Sequence, residues 1–213
     1  MFNKILEGEV VNPPLWLEWN GWRALTALDR AVDVRRNFEV DADLQPVNHA
    51  PGNVPDVKAD YDSFAAVLEM TMMIGRTQYK HEGEPVTEHV ARAVLEEVRS
   101  GSRRQVYGVF VAPRVHPGTA EFFRVYVALT PHPAAGANLQ IVPLAVEQLQ
   151  QLLRISRDVG VMEKEEVEEL LGTLVEAGRS AKSAREWLDT IEATIRSWGD
   201  RLLERRRIEL AAT

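Results

Sequence analysis

Val54–Met72 reads VPDVKADYDSFAAVLEMTM. Val54–Tyr61 alternates in part between apolar and polar residues, Tyr61-Asp62-Ser63 carries turn chemistry, and Phe64–Met72 is a second apolar run. Two such runs on either side of a short turn predict a β-hairpin. Asp56 falls near the start of the first strand and Glu69 late in the second. In a hairpin the start of one strand lies beside the end of its neighbour, so these two carboxylates are expected to meet at one edge. Glu69 also interrupts an apolar run, Ala65-Ala66-Val67-Leu68-Glu69-Met70. A carboxylate there is costly unless it is paired or bound to a cation.

Upstream of the hairpin, Arg35–Asn53 is polar and turn-rich, ending in His49-Ala50-Pro51-Gly52-Asn53. It reads as a loop with a short strand at Phe38–Val40. Before it, Leu15–Asp33 reads as an amphipathic helix, with Trp19, Trp22, Leu25, Leu28 and Val32 at helical spacing behind Pro13 and Pro14. Downstream, Gly75 breaks the pattern, and Val86–Ser100 is a helix closed by Gly101. Gln105–Ala112 reads as a buried strand, with Arg124–Leu129 and Leu139–Pro143 as further strand candidates. From Leu144 the periodicity is helical: Ala145–Ser156, Glu163–Ala177 and Ala181–Arg205. This order predicts an α/β fold, a mixed sheet flanked by helices, followed by a helical C-terminal part.

The composition narrows the chemistry. There are no cysteines in the 213 residues, which excludes disulfides, thiolate metal sites and cysteine nucleophiles. The N-terminal stretch lacks the apolar core of a signal peptide, and no apolar run approaches the ~20 residues of a membrane span. A cytoplasmic, non-membrane location is the expectation. The formal net charge is −7. Lys and Arg contacts to phosphate supply most non-specific DNA affinity, so such a chain is not a self-sufficient DNA binder. Arg76, Lys80, Arg103 and Arg104 make at most a small basic patch, and Arg205-Arg206-Arg207 a basic tail.

Two carboxylates at one edge repel unless a cation lies between them. Mg²⁺ suits them, since it takes oxygen ligands, keeps several waters and binds phosphate oxygens. Such an ion can activate water and stabilise an attacked phosphodiester. A proline-aspartate, a hairpin and a second acidic residue resemble the layout of PD-(D/E)XK nucleases. Thr71 stands where that pattern has Lys. Two further acids have ordinary readings as surface charges: Glu18, between Leu17 and Trp19 on the first helix, and Glu82, in Lys80-His81-Glu82-Gly83-Glu84-Pro85. His89, on the following helix, either faces the site or lies on a polar helix face.

Longer strings add to this. Asn12-Pro13-Pro14 with Glu18-Trp19-Asn20, and Gly52-Asn53-Val54-Pro55-Asp56 followed by Glu69-Met70-Thr71, Gly75, Gln78, Glu82-Gly83-Glu84-Pro85-Val86 and His89, resemble the AlwI-type family of type IIS restriction and nicking endonucleases. The likeness continues through Ile141-Val142-Pro143-Leu144, Glu147-Gln148-Leu149 and Ala184-Arg185-Glu186-Trp187-Leu188, and so spans nearly the whole chain. It is greatest to the separate small subunits of heterodimeric enzymes in this group.

The resemblance implies a PD-(D/E)XK-like nuclease core over residues 1–143, with the helical part, 144–213, packed on it. It implies Mg²⁺ as cofactor and a metal-dependent site whose acids fall on Glu18, Asp56, Glu69 and Glu82. It also implies a larger, site-recognising nicking subunit as partner, with this chain cutting the other strand of duplex DNA. DNA is then reached through the partner, in keeping with the acidic charge. Gln78 and Lys80 are candidates to orient water or phosphate in place of the missing lysine. Two alternatives stay open: a nuclease component of a transposase or phage-defence complex, and an interaction subunit whose site has decayed. The recognition sequence and cut position are not readable from the chain.

Overall fold

A computed structural model describes residues 1–211 except Asp29 and Arg103. Arg103, one of the four residues of the expected basic patch, therefore lies outside the described residues. The hairpin forms as expected. β4 (Val57–Asp60) pairs antiparallel with β5 (Phe64–Met70), Val57 opposite Leu68 and Asp60 opposite Ala65. It nucleates a five-stranded mixed sheet ordered β1-β4-β5-β6-β7. β1 (Asp33–Arg36) lies antiparallel to β4, while β6 (Gln105–Ala112) and β7 (Gln140–Ala145) continue from β5 in parallel.

Each parallel step needs a crossover. Between β5 and β6 run α3 (Gly75–His81) and α4 (Gly83–Arg99). Between β6 and β7 run α5 (Pro117–Glu121) and a π-helical turn, Phe122–Val127. Two short strands, β2 (Glu39–Val40) and β3 (Pro46–Asn48), form a separate ribbon in the loop before the hairpin.

The two sheet faces are covered by different helices. On the face carrying Leu68, Val109 and Leu144 lie Leu25 and Leu28 of α2 (Pro13–Leu28) and Leu149 and Leu152 of α6 (Val146–Val159). Leu170 and Leu171 of α7 (Lys164–Ser180) and Trp198 of α8 (Ala184–Ala211) close over the same residues. α4 covers the opposite face, and Gly108 in β6 is what lets it approach. A Cβ there would sit 2.6 Å from Val90 Cγ2 and 3.0 Å from Ile141 Cγ1. α1 (Phe2–Leu6) packs beside α2. β7 runs across the expected 143/144 boundary and leads directly into α6. No described helix is long and apolar enough to cross a membrane.

Two expected elements differ. The first long helix stops at Leu28 rather than Asp33. The Leu28 carbonyl accepts hydrogen bonds from Met162 N (3.1 Å) and Ser156 Oγ (3.2 Å), which satisfy its end. Asp33–Arg36 then gains ladder bonds to β4, leaving Val32 68% exposed. Arg124–Leu129 is not a strand. Phe123 packs edge-on to Phe110 at 5.5 Å, and Arg124 pairs with Glu121 and the Ala181 carbonyl, contacts that need helical spacing. Helix α3 was not expected, because Gln78 is the one residue of that stretch that is buried.

Candidate active site

Asp56 lies one residue before β4, and its carbonyl accepts Asn37 N at 3.0 Å. Val57 faces Leu68, so one step further Asp56 faces Glu69. Directly opposed residues of an antiparallel pair project to the same face, so the two carboxylates share one face at the end of the sheet. Asp56 Oδ2 accepts the Met70 N–H at 2.7 Å, and His89 Nδ1 of α4 lies 2.7 Å from Glu69 Oε1. Among the described residues, hydrogen bonds engage one oxygen of each carboxyl, which leaves Asp56 Oδ1 and Glu69 Oε2.

The other two acids come from separate elements. Glu18 is 6% exposed and lies one turn before Gly21, where α2 approaches the Met70 and Leu68 side chains. His49 Nδ1 bonds its Oε1 and Ala50 N its Oε2 (3.3 Å), while Asn12 contacts the far ring nitrogen of His49 at 3.1 Å. Glu82 stands at the N-cap of α4. α2 and α4 thus bring acids from opposite sides of the sheet to the end of the hairpin.

The electrostatics tie the four together. Burial pushes the Asp56 carboxyl well above the usual carboxylate range, and the charges of Glu69, Glu18 and Glu82 push it the same way, against the Met70 N–H. Glu69, 7% exposed, is raised well above its ordinary value by burial first and then by Glu82 and Glu18. Glu18 is raised by burial, partly offset by His49 and Ala50. Burial lowers the His89 imidazole, offset by a bond to the Gly52 backbone. Four carboxylates within mutual electrostatic reach, with three raised, form a site that a cation would relieve.

Among the described residues, no three His, Asp or Glu side chains converge as a metal cage. Mg²⁺ does not ordinarily require one, because one or two carboxylates hold it together with waters and phosphate oxygens. Asp56 and Glu69, each with an oxygen left over, are a donor set of that kind.

The lysine substitutes fare differently. Gln78 is fully buried, and all its amide atoms are used: Nε2 donates to the Met73 (2.8 Å) and Arg114 (3.0 Å) carbonyls, and Oε1 accepts His116 N (2.7 Å). It clamps the loops that follow β5 and β6 and has no donor left for a water or phosphate. Lys80 is exposed on α3. Thr71 is buried, and its hydroxyl accepts Met73 N at 3.0 Å. Arg104 is committed to Glu97, Asp60 and the Tyr61 carbonyl and is not an available DNA contact. His49 was missed as a site residue. The available signal was a histidine in the turn cluster that leads into Pro55-Asp56.

A mixed sheet of this order, with helices on both faces, is a fold shared with a solved restriction endonuclease subunit. The small subunit (R.BspD6I2) of the heterodimeric restriction endonuclease R.BspD6I superposes with a TM-score of 0.73 at 23% sequence identity, over 90% of this chain and 96% of that one. The chain belongs to the AlwI restriction endonuclease family, whose sequence pattern matches residues 4–152, more than half its length. A search of curated proteins found no match.

Proposed function

We propose that this chain is the small catalytic subunit of a heterodimeric type IIS restriction endonuclease, a PD-(D/E)XK-like nuclease that hydrolyses one strand of duplex DNA beside a larger, site-recognising nicking subunit. The observation that carries this reading is the opposition of Asp56 and Glu69 at the end of the hairpin, with Glu18 and Glu82 within electrostatic reach. Asp56 and Glu69 would hold Mg²⁺ directly, and Glu18 and Glu82 would complete its shell or orient water. When bound, the ion supplies Lewis-acid charge for the phosphoryl oxygens and a water of lowered pKa.

The chain's own residues have separate tasks. His89 fixes the Glu69 carboxyl through Oε1 and leaves Oε2 for a cation. The Met70 N–H does the same for Asp56 through Oδ2. His49 and Ala50 hold Glu18. In the reaction a water oxygen bonds to phosphorus and the bond from phosphorus to the 3′ oxygen breaks. The leaving oxygen takes a proton, and a 5′-phosphate remains. The helical part, residues 144–213, would brace the nuclease core of residues 1–143.

The test is to co-purify the chain with the larger subunit encoded beside it and to incubate the complex with duplex DNA. Cleavage of both strands in Mg²⁺, and none in EDTA, is expected. Equal cleavage in EDTA, or cleavage of both strands by the partner when this chain is left out, overturns the reading.

A further inference from the structure

Alternation along β4 sets Asp56, Lys58 and Asp60 on the face that α4 crosses. A groove of about 170 Å³ runs between that face and α4, lined by Arg35, Asn37, Asn53, Lys58, His89 and Arg92 among others. Its wall includes His89, the residue bonded to Glu69, so the groove leads from the carboxylate site along the outer edge of the sheet.

Its three cations are not equivalent. Arg35 is held by Asp60 and by Asp33 (3.1 Å). Lys58 lies 3.2 Å from Glu96 and 3.9 Å from both Glu97 and Asp60. Carboxylates thus match both charges. Arg92 is exposed, one helical turn beyond His89, and its NH1 donates to the Asn53 carbonyl. Among the described residues no carboxylate forms an ion pair with it. One of its five N–H donors is used, and the rest of the fork suits the paired oxygens of a phosphate.

We propose that this groove seats a backbone phosphate of the DNA strand next to the reacting one, and that Arg92 is the residue that binds it. The proposal rests on the nuclease reading above. It gives the acidic site what it lacks. Four carboxylates repel an approaching polyanion, and a cation beside them on the strand's path offsets that repulsion.

Arg92 also ties the loop before Pro55-Asp56 to α4, so the test must separate charge from architecture. Gln at 92 keeps a donor for the Asn53 carbonyl and loses the charge, whereas Lys keeps the charge and loses the fork. The affinity of the full chain for a fluorescein-labelled duplex is measured by anisotropy across a low-salt range, with Ca²⁺ replacing Mg²⁺ so that no strand is cut. Arg92→Gln is expected to weaken binding about tenfold, the scale of one charge-assisted hydrogen bond. It should also reduce the slope of log affinity against log salt by ~0.9, the signature of one lost phosphate contact. Arg92→Lys should keep the wild-type slope with an intermediate affinity. A wild-type slope in Arg92→Gln, or the same slope loss in both variants, overturns the phosphate site and leaves the nuclease reading standing. A wild-type chain that binds no duplex at low salt, and whose complex cuts none, removes both.

Discussion

At the scale of the residue, Asp56 and Glu69 carry the proposed site. The folded chain raises both carboxyls above the ordinary value of about 4. Between that value and the raised ones, the folded metal-free chain keeps protons that the unfolded chain has released. Its stability therefore falls as pH rises through that window. Asp56→Asn removes the ionising group. In EDTA at pH 8 its unfolding midpoint should exceed that of the wild type by several degrees, at about 2–4 °C per kcal/mol for a chain of this size. The gap should shrink toward pH 5, and Mg²⁺ should raise the wild-type midpoint more than the variant's. A gap that does not vary with pH would assign the gain to packing instead. The meeting of the two acids at one end of the hairpin was legible in the sequence, one from the Pro-Asp pair and one from its intrusion into an apolar run. The roles of Gln78 and His49 were not, because a side chain's partners depend on loops that meet only in the fold.

Among the elements, the hairpin, β6 and the C-terminal helices were readable because their periodicity is strong and local. Boundaries set by distant contacts were not. Nothing near Leu28 announces that Met162 and Ser156 will take its carbonyl, and the apolar spacing of Arg124–Leu129 fits a strand until Phe110 claims Phe123. The placement of α4 depends on Gly108, since Val90 and Ile141 occupy the space a Cβ would need. Gly108→Ala is expected to destabilise the fold by ~1–3 kcal/mol through overpacking. By moving α4 it should also draw His89 off Glu69 and lower the affinity for Mg²⁺. Calorimetry and a Mg²⁺ titration followed by thermal shift measure the two effects. Loss of stability with unchanged Mg²⁺ affinity would show that His89 does not position Glu69.

For the whole molecule, the net charge of −7 suits the proposed division of labour, in which a partner supplies the DNA affinity. Acidic residues outnumber basic ones, and some of the described basic side chains, Arg104 and Arg35 among them, are held in internal pairs, so counterion release is expected to supply little affinity. The isolated chain should bind duplex DNA more weakly than ~10⁻⁶ M at physiological salt, the range of an ordinary non-specific binder. Tight, sequence-specific binding by the chain alone would contradict the proposed role as a subunit. If Asp56 belongs to the site that cuts the second strand, its loss must spare the first. The two strands of a duplex are labelled differently, and cleavage by the complex of Asp56→Ala with the larger subunit is mapped in Mg²⁺. One strand should be cut as by the wild type, while cutting of the other falls at least ~100-fold, the scale of losing transition-state charge stabilisation, so that a nicked duplex accumulates. Cleavage of both strands at wild-type rates would remove Asp56 from the second-strand site.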